Sequence, residues 1–397
     1  MRVSESIGGK TPRDRLAAWM FVAYGVFVLG FFFFPERSSH YKFYYVAVLV
    51  PGLVMAVSVL PALWQQWSFR MLALWLLYQL VSGLWSDPFA AEAYGRLAWW
   101  WLQVVIFLLV TAALRQRFPH RFDMLVRVLV AGVALLGVAS IVAWYGDHPF
   151  PVSRLEPLGR IDNPILAGCA YGVFAVLALH YLLGARSAGA RLLYAAALLV
   201  TVSVVLLTHS RTAMGGVLAA FAVMLAGHRS RAAAVMMVSL VGLFAVAALA
   251  FPEVFDRLGM SPHWRPRIWQ SVLERVSEAP LFGHGYLADT HVLVGQRAFQ
   301  HAHSSYLGFL RDGGVLGLFL FIAAIGVFGR RILQSGATGR RFPFLLPLLA
   351  FALVVIAPDI DRLITRPKEL WLFFWWPLGL GLGDSQSSRV RDSINSS

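Results

Sequence analysis

Cysteine is nearly absent from this 397-residue chain: Cys169 stands alone, inside an apolar run. Neither an intramolecular disulfide nor a thiolate metal cluster can therefore form. Charge is scarce too, at 14% of residues against 58% hydrophobic, which excludes an ordinary soluble domain. Acid is scarcer than base, 20 residues against 34, and the formal net charge is +14. In a soluble protein that surplus would suggest a nucleic-acid partner. Here much of it lies in short loops between apolar runs, where basic residues mark the cytoplasmic side of a membrane, and no nucleic acid is expected. The chain has no internal repeat of the kind that marks many transporters. The first apolar run follows Arg2, Lys10, Arg13 and Arg15 but has no small-residue cleavage site, so it reads as a retained span.

What is present is a succession of apolar runs of bilayer length. They predict an all-α polytopic membrane protein with about twelve spans, at 17–34, 43–63, 71–85, 95–114, 124–145, 164–183, 192–208, 212–227, 232–251, 305–329, 342–357 and 369–382. Residues 1–397 are expected to form a single integral membrane domain, with one larger periplasmic segment at 252–304 between spans nine and ten. Residues 383–397 form a polar, Ser-rich cytoplasmic tail expected to be disordered. The connection after every second span carries arginine: Arg70; Arg115, Arg117 and Arg121; Arg186 and Arg191; Arg229 and Arg231; Arg330, Arg331, Arg340 and Arg341. These loops, and both termini with them, read as cytoplasmic in a bacterial inner membrane. The opposite connections are mixed in sign, with Asp87, Glu92, Asp147, Arg154, Glu156, Arg160, Asp162, Asp359, Asp361, Arg362, Arg366 and Lys368.

In the long outer segment, Ile268, Val272 and Val276 share one side of a run ending at Glu278, which predicts an amphipathic helix with Arg265 at its N-terminus. Free N–H groups there favour anions, and a guanidinium adds bidentate recognition of phosphate. His301-Ala302-His303-Ser304-Ser305-Tyr306-Leu307 then opens the next span. His303 would sit at that helix's N-terminus, where the dipole keeps an imidazole neutral and able to accept a proton. Arg211 falls between two apolar runs, so His209-Ser210-Arg211 would form the tip of a tight hairpin. Position alone leaves two readings of each: His303 could simply bond a loop, and Arg211 could snorkel to headgroups. Together with Arg265 they suggest a cationic site with one candidate base, suited to a phosphate-bearing lipid. Asp359 and Asp361 resemble a metal-binding carboxylate pair but lack further ligands nearby, and no metal site is expected. Arg311 and Asp312 read as charges compensating each other within the bundle. Trp99, Trp100 and Trp101, like Trp371, Trp375 and Trp376, fit an interfacial aromatic belt, whereas Trp264 beside Arg265 has the character of a binding cluster.

Three local patterns occur in succession: Ser210-Arg211-Thr212-Ala213; Arg265 with Trp269 and Glu278-Ala279-Pro280-Leu281-Phe282-Gly283-His284-Gly285; and His303-Ser304-Ser305-Tyr306-Leu307 with Gly314-Val315-Leu316-Gly317. In this order they resemble the O-antigen ligase and O-antigen polymerase superfamily of bacterial envelope enzymes, and most closely its ligases. Ser304 departs from the pattern, where Asn often follows the histidine, so His301 competes with His303 for the same role. The resemblance implies a periplasmic, cofactor-free and metal-independent inverting transfer. The donor is a glycan on undecaprenyl diphosphate, and the acceptor is the lipid A–core oligosaccharide; membrane lipids surround both. It also implies that Arg211 and Arg265 bind the diphosphate and that His303 serves the acceptor hydroxyl. Trp264, Arg267, His301, Tyr306 and Arg160 are the candidate substrate-binding residues. A polymerase or a protein O-oligosaccharyltransferase would use the same donor. A lipid-linked glycan transporter or flippase, the reading from another class, would need its binding residues at mid-membrane in related halves.

Overall fold

A computed structural model describes residues 12–228, 264–337 and 344–384. The expected span at 232–251, the start of segment 252–304 and the tail past Asp384 lie outside the described residues. The protein is an all-α polytopic membrane protein. Helix α1 covers Pro12–Phe33, and α2 (Arg37–Phe43) runs through a π-helical turn into α3 (Val50–Trp64). There follow α4 (Trp67–Ser82), α5 (Ala91–Arg117), α6 (Pro119–Tyr145), α7 (Pro164–Gly184), α8 (Ala188–Leu207) and α9 (Arg211–His228). After the undescribed stretch come α10 (Trp264–Glu278), α11 (Ser305–Ala337), α12 (Leu345–Ile356), a π-helical turn at Trp371–Trp375, and α13 (Trp376–Leu382). Among the described residues, 7 helical stretches are long and apolar enough to cross a bilayer, and Arg211–Gly227, Leu345–Ile356 and Trp371–Leu382 are shorter apolar helices.

Helix α7 is apolar on every side, and such a helix belongs at the centre of a bundle. Residues Ala167 to Leu179 are all buried, with α8 and α9 packed against them. Its start is set by Asn163, whose Oδ1 accepts from the backbone N–H groups of Ile165 and Leu166 at 2.8 and 3.3 Å, with Pro164 in the first turn. The tryptophans at 371, 375 and 376 correct the aromatic-belt expectation. All three are fully buried, and the Trp375 indole donates to the Leu363 carbonyl at 3.0 Å. A buried indole needs such a partner, whereas Trp99 is exposed as a belt residue should be.

The described part of the segment expected to lie outside, from Trp264 on, is not purely helical. Helix α10 has the predicted amphipathic face, and Ile268 and Val272 bury it against a short β-hairpin, β1 (Val292–Val294) with β2 (Arg297–Phe299), and against the start of α11. Strand register pairs Val292 with Phe299 and Val294 with Arg297.

Helix α11 is broken at Gly314, and the break is filled by the loop after α10. In an unbroken helix the N–H groups of Val315 and Leu316 would donate to the carbonyls of Arg311 and Asp312. Here they donate instead to Pro280 and Leu281 at 2.8 and 3.2 Å, while His284 and Gly285 donate to the vacated carbonyls of Arg311 and Asp312 at 2.8 and 2.9 Å. Two helical bonds are exchanged for four, so the N–H and carbonyl groups freed by the break at these positions find partners in the loop. The exchange requires glycine on both sides. Gly314 has φ 63° and ψ −166°, a region almost closed to other residues, and a Cβ there would strike the Leu281 carbonyl. At Gly283, φ is 67° and a Cβ would collide with the Asp312–Gly314 backbone. Gly314→Ala is expected to lower stability by about 2–4 kcal/mol, read as thermal unfolding in detergent. Gly95→Ala, in α5 with open space around it, should be neutral or slightly stabilising.

Candidate active site

The α8–α9 connection is three residues long, Thr208 to Ser210, with His209 in a left-handed conformation at φ 47°. The loop between α6 and α7 clasps it: Leu155 N–H donates to the Leu207 carbonyl at 2.9 Å, and the Arg154 guanidinium donates to the Thr208 carbonyl at 2.6 Å. Ser210 Oγ accepts from the Ala213 N–H at 3.2 Å and caps α9. Arg211 is thereby fixed as the first residue of α9, on the wall of a cavity of about 700 Å³. Its guanidinium has no ion-pair or hydrogen-bond partner among the described residues, so it meets the cavity as a free cation.

Arg265, in the first turn of α10, lies on the same wall. It donates to Asp359 Oδ1 at 2.6 Å, and the other oxygen of that carboxylate accepts from the Thr212 hydroxyl. Asp359 thus ties the helix carrying Arg211 to the helix carrying Arg265. The loop that bears it is anchored by charge. Arg311, fully buried in α11, grips both oxygens of Asp361 at 3.1 and 2.9 Å and Asp312 at 2.8 Å; Arg362 closes the set on Asp312 at 2.7 Å. The compensation expected between Arg311 and Asp312 is present, enlarged to four charges. The carboxylates read as a possible metal pair are engaged by guanidiniums and a hydroxyl.

His301 and His303 line the cavity as well, their rings 4.2 Å apart between centroids. The expected dipole argument for His303 needs correction. Helix α11 begins at Ser305, and His303 precedes it in a left-handed conformation at φ 50°. Its pKa is lowered first by desolvation and further by the Arg265 charge, against opposing pulls from Asp359 and Asp361. His301 is lowered by desolvation and then by His303. Loss of hydration thus favours the neutral form of both rings. The backbone N–H of His303 donates to His301 Nδ1 at 3.2 Å, which leaves the proton of neutral His301 on Nε2.

Of the other sequence candidates, Trp264 is on the cavity wall, with Arg297 over its ring at 5.0 Å. Arg267 lies on the exposed side of α10 and stacks on Trp264 at 5.8 Å. Tyr306 turns into the bundle, its hydroxyl donating to the Leu353 carbonyl at 3.0 Å. Arg160 is not on the wall either. It is 3% exposed, donates to His40 Nδ1 at 2.9 Å and to the Pro367 carbonyl at 3.0 Å, and pairs with Glu369 at 3.3 Å. Its loop position made it resemble a ligand-binding cation, but its partners make it a strut. Asp359 and Lys368 are cavity residues that were noted in the sequence only as loop charges or a metal pair. A carboxylate in a loop that also carries Arg362, Arg366 and Lys368 was the signal for Asp359.

Residues 195–322 match a family model described as O-antigen ligase. Over 373 residues the chain is 28% identical to the O-antigen ligase of Pseudomonas aeruginosa, covering 91% of this chain and 88% of that relative. The likeness to the O-antigen ligase and polymerase superfamily, strongest toward the ligases, is thereby shown. The matched segment contains Arg211, Trp264, Arg265, His301 and His303 and leaves out Arg160.

A buried ion pair that loses one member leaves an uncompensated charge, at a cost of about 3–5 kcal/mol. Arg160→Met should therefore lower the unfolding midpoint markedly. Arg267→Ala, at an exposed position, should change stability by no more than about 0.5 kcal/mol.

Proposed function

We propose that the protein is an O-antigen ligase of the bacterial inner membrane, moving a polysaccharide from undecaprenyl diphosphate to the lipid A–core oligosaccharide at its periplasmic face, without a metal. The reading is carried by one observation: Arg211, Arg265, His301 and His303, from three separate stretches of sequence, line a single cavity. The bundle has about twelve spans in this reading, with both termini and the arginine-rich loops in the cytoplasm and the segment 252–304 outside.

In the reaction, the acceptor hydroxyl oxygen attacks the anomeric carbon while the bond from that carbon to the phosphate oxygen breaks. The diphosphate departs with the bonding electrons, and a single displacement inverts the configuration. Arg211, which has no counter-ion among the described residues, and Arg265 neutralise the growing charge, as fixed guanidiniums can in a site of low polarity. Asp359 keeps Arg265 oriented until the diphosphate arrives. His303, neutral and half-buried, takes the hydroxyl proton. His301 directs its Nε2–H toward substrate oxygen, and Trp264 offers a flat face to a sugar ring.

Purified protein given carrier-linked glycan and core acceptor should join them without an energy source. His303→Ala, Arg211→Ala and Arg265→Ala should each reduce the rate by about 10²-fold or more while eluting as folded protein. Retained activity in any well-folded member of this set overturns its assigned role. Only the neutral form of His303 can accept a proton, and its lowered pKa keeps that form dominant down through the ordinary histidine value. Transfer should accordingly fall to half its plateau rate only below about pH 6.5. In cells, deletion of the gene should remove polymer from lipopolysaccharide while long carrier-linked chains still form; a single repeat left on the core would indicate a polymerase instead.

A further inference from the structure

The cavity wall carries a further cation, on the same loop as Asp359. Thr365, Lys368 and Glu369 of that loop line the cavity, as does Asn163, and Arg160 holds Glu369. Glu369 is 2% exposed and already paired, so it supplies no free negative charge to the cavity. Lys368 is half-buried, and its ammonium has no ion-pair or hydrogen-bond partner among the described residues. Desolvation lowers its pKa; Glu369 opposes that shift, and Arg366, Arg37 and Arg160 add to it. Arg366 is exposed, 5.1 Å over the Tyr41 ring, and Arg37 is bound to Asp162. Of the charges that act on Lys368, Arg366, Arg37 and Arg160 are cations and Glu369 is the carboxylate. The charges that act on His303 are a different set: Asp359, Arg265 and Asp361.

A half-buried ammonium without a partner has lost hydration that nothing in the protein replaces, and its complement is an anion. Two substrates must meet in this cavity with their reacting atoms about 3 Å apart. With Arg211 and Arg265 given to the leaving diphosphate, Lys368 is the lining cation left without a partner among the described residues. Resting on the glycosyl-transfer reading above, we propose that Lys368 binds an anionic substituent on the acceptor saccharide, a monophosphate or a carboxylate, and so selects acidic acceptors. An ammonium is a compact charge that serves either group, without the planar preference of a guanidinium.

The test uses the full-length protein with carrier-linked donor and three preparations of core acceptor: untreated, phosphatase-treated and carboxyl-reduced. Lys368→Gln should raise the acceptor KM at least about tenfold with untreated acceptor and leave the donor KM within about twofold. The effect should vanish with whichever treated acceptor has lost the recognised group, which identifies phosphate or carboxylate as that group. Lys368→Arg should restore most of the affinity, which a merely structural role would not predict from charge alone. An equal KM rise with all three acceptors, a rise confined to the donor, or no change overturns the inference while leaving the transfer reading intact. Absence of transfer by the unaltered protein with every acceptor would remove both.

Discussion

The structure turns on two adjacent residues in α11, Arg311 and Asp312, which hold two loops at once by different chemistry. Their side chains bind Asp361 and Arg362 and so fix the loop between α12 and α13; their carbonyls, freed by the break at Gly314, accept from His284 and Gly285 and so fix the loop after α10. A buried charge set of this kind contributes little net stability compared with apolar packing, but it tolerates few alternative arrangements. Asp359 stands two residues from Asp361, and the histidine turn stands just ahead of the same helix. The positions of Arg265, His301 and His303 therefore rest on this node, while Arg211 is held separately by the clasp on the α8–α9 turn.

Much of the architecture was legible because hydropathy in a membrane protein is nearly one-dimensional. Apolar runs gave the helices, the pattern of Ile268, Val272 and Val276 gave the buried face of α10, and the brevity of the chain around Arg211 gave a tight turn. Direction was not legible. A run such as Trp371 to Trp376 has the same composition whether it faces lipid or protein, and only the packing of its neighbours decides; here it is interior. The short hairpin at Val292 to Phe299 was missed because three-residue strands carry too few positions to show alternation.

The cavity cations divide along the same line. Arg211, Arg265 and His303 were picked out by type and place, and they share one wall. Arg160 was picked out by the same reasoning, yet it is a buried strut, because pairing is a property of partners distant in sequence: His40 and Glu369 lie 120 and 209 residues away. For His303 the sequence pointed to the helix dipole, whereas the ring precedes the helix and loss of hydration is what first lowers its pKa.

The exchange of backbone bonds at Gly314 splices the glycine loop into the helix as one mechanical part. Separating them would strand four donors and four acceptors in surroundings with little water to receive them. The histidine turn, being continuous with that part, is carried by whatever α11 does. Widening the cleft for bulky lipid-borne sugars would have to part Asp359 from Arg265 or Thr212 while leaving the spliced part whole.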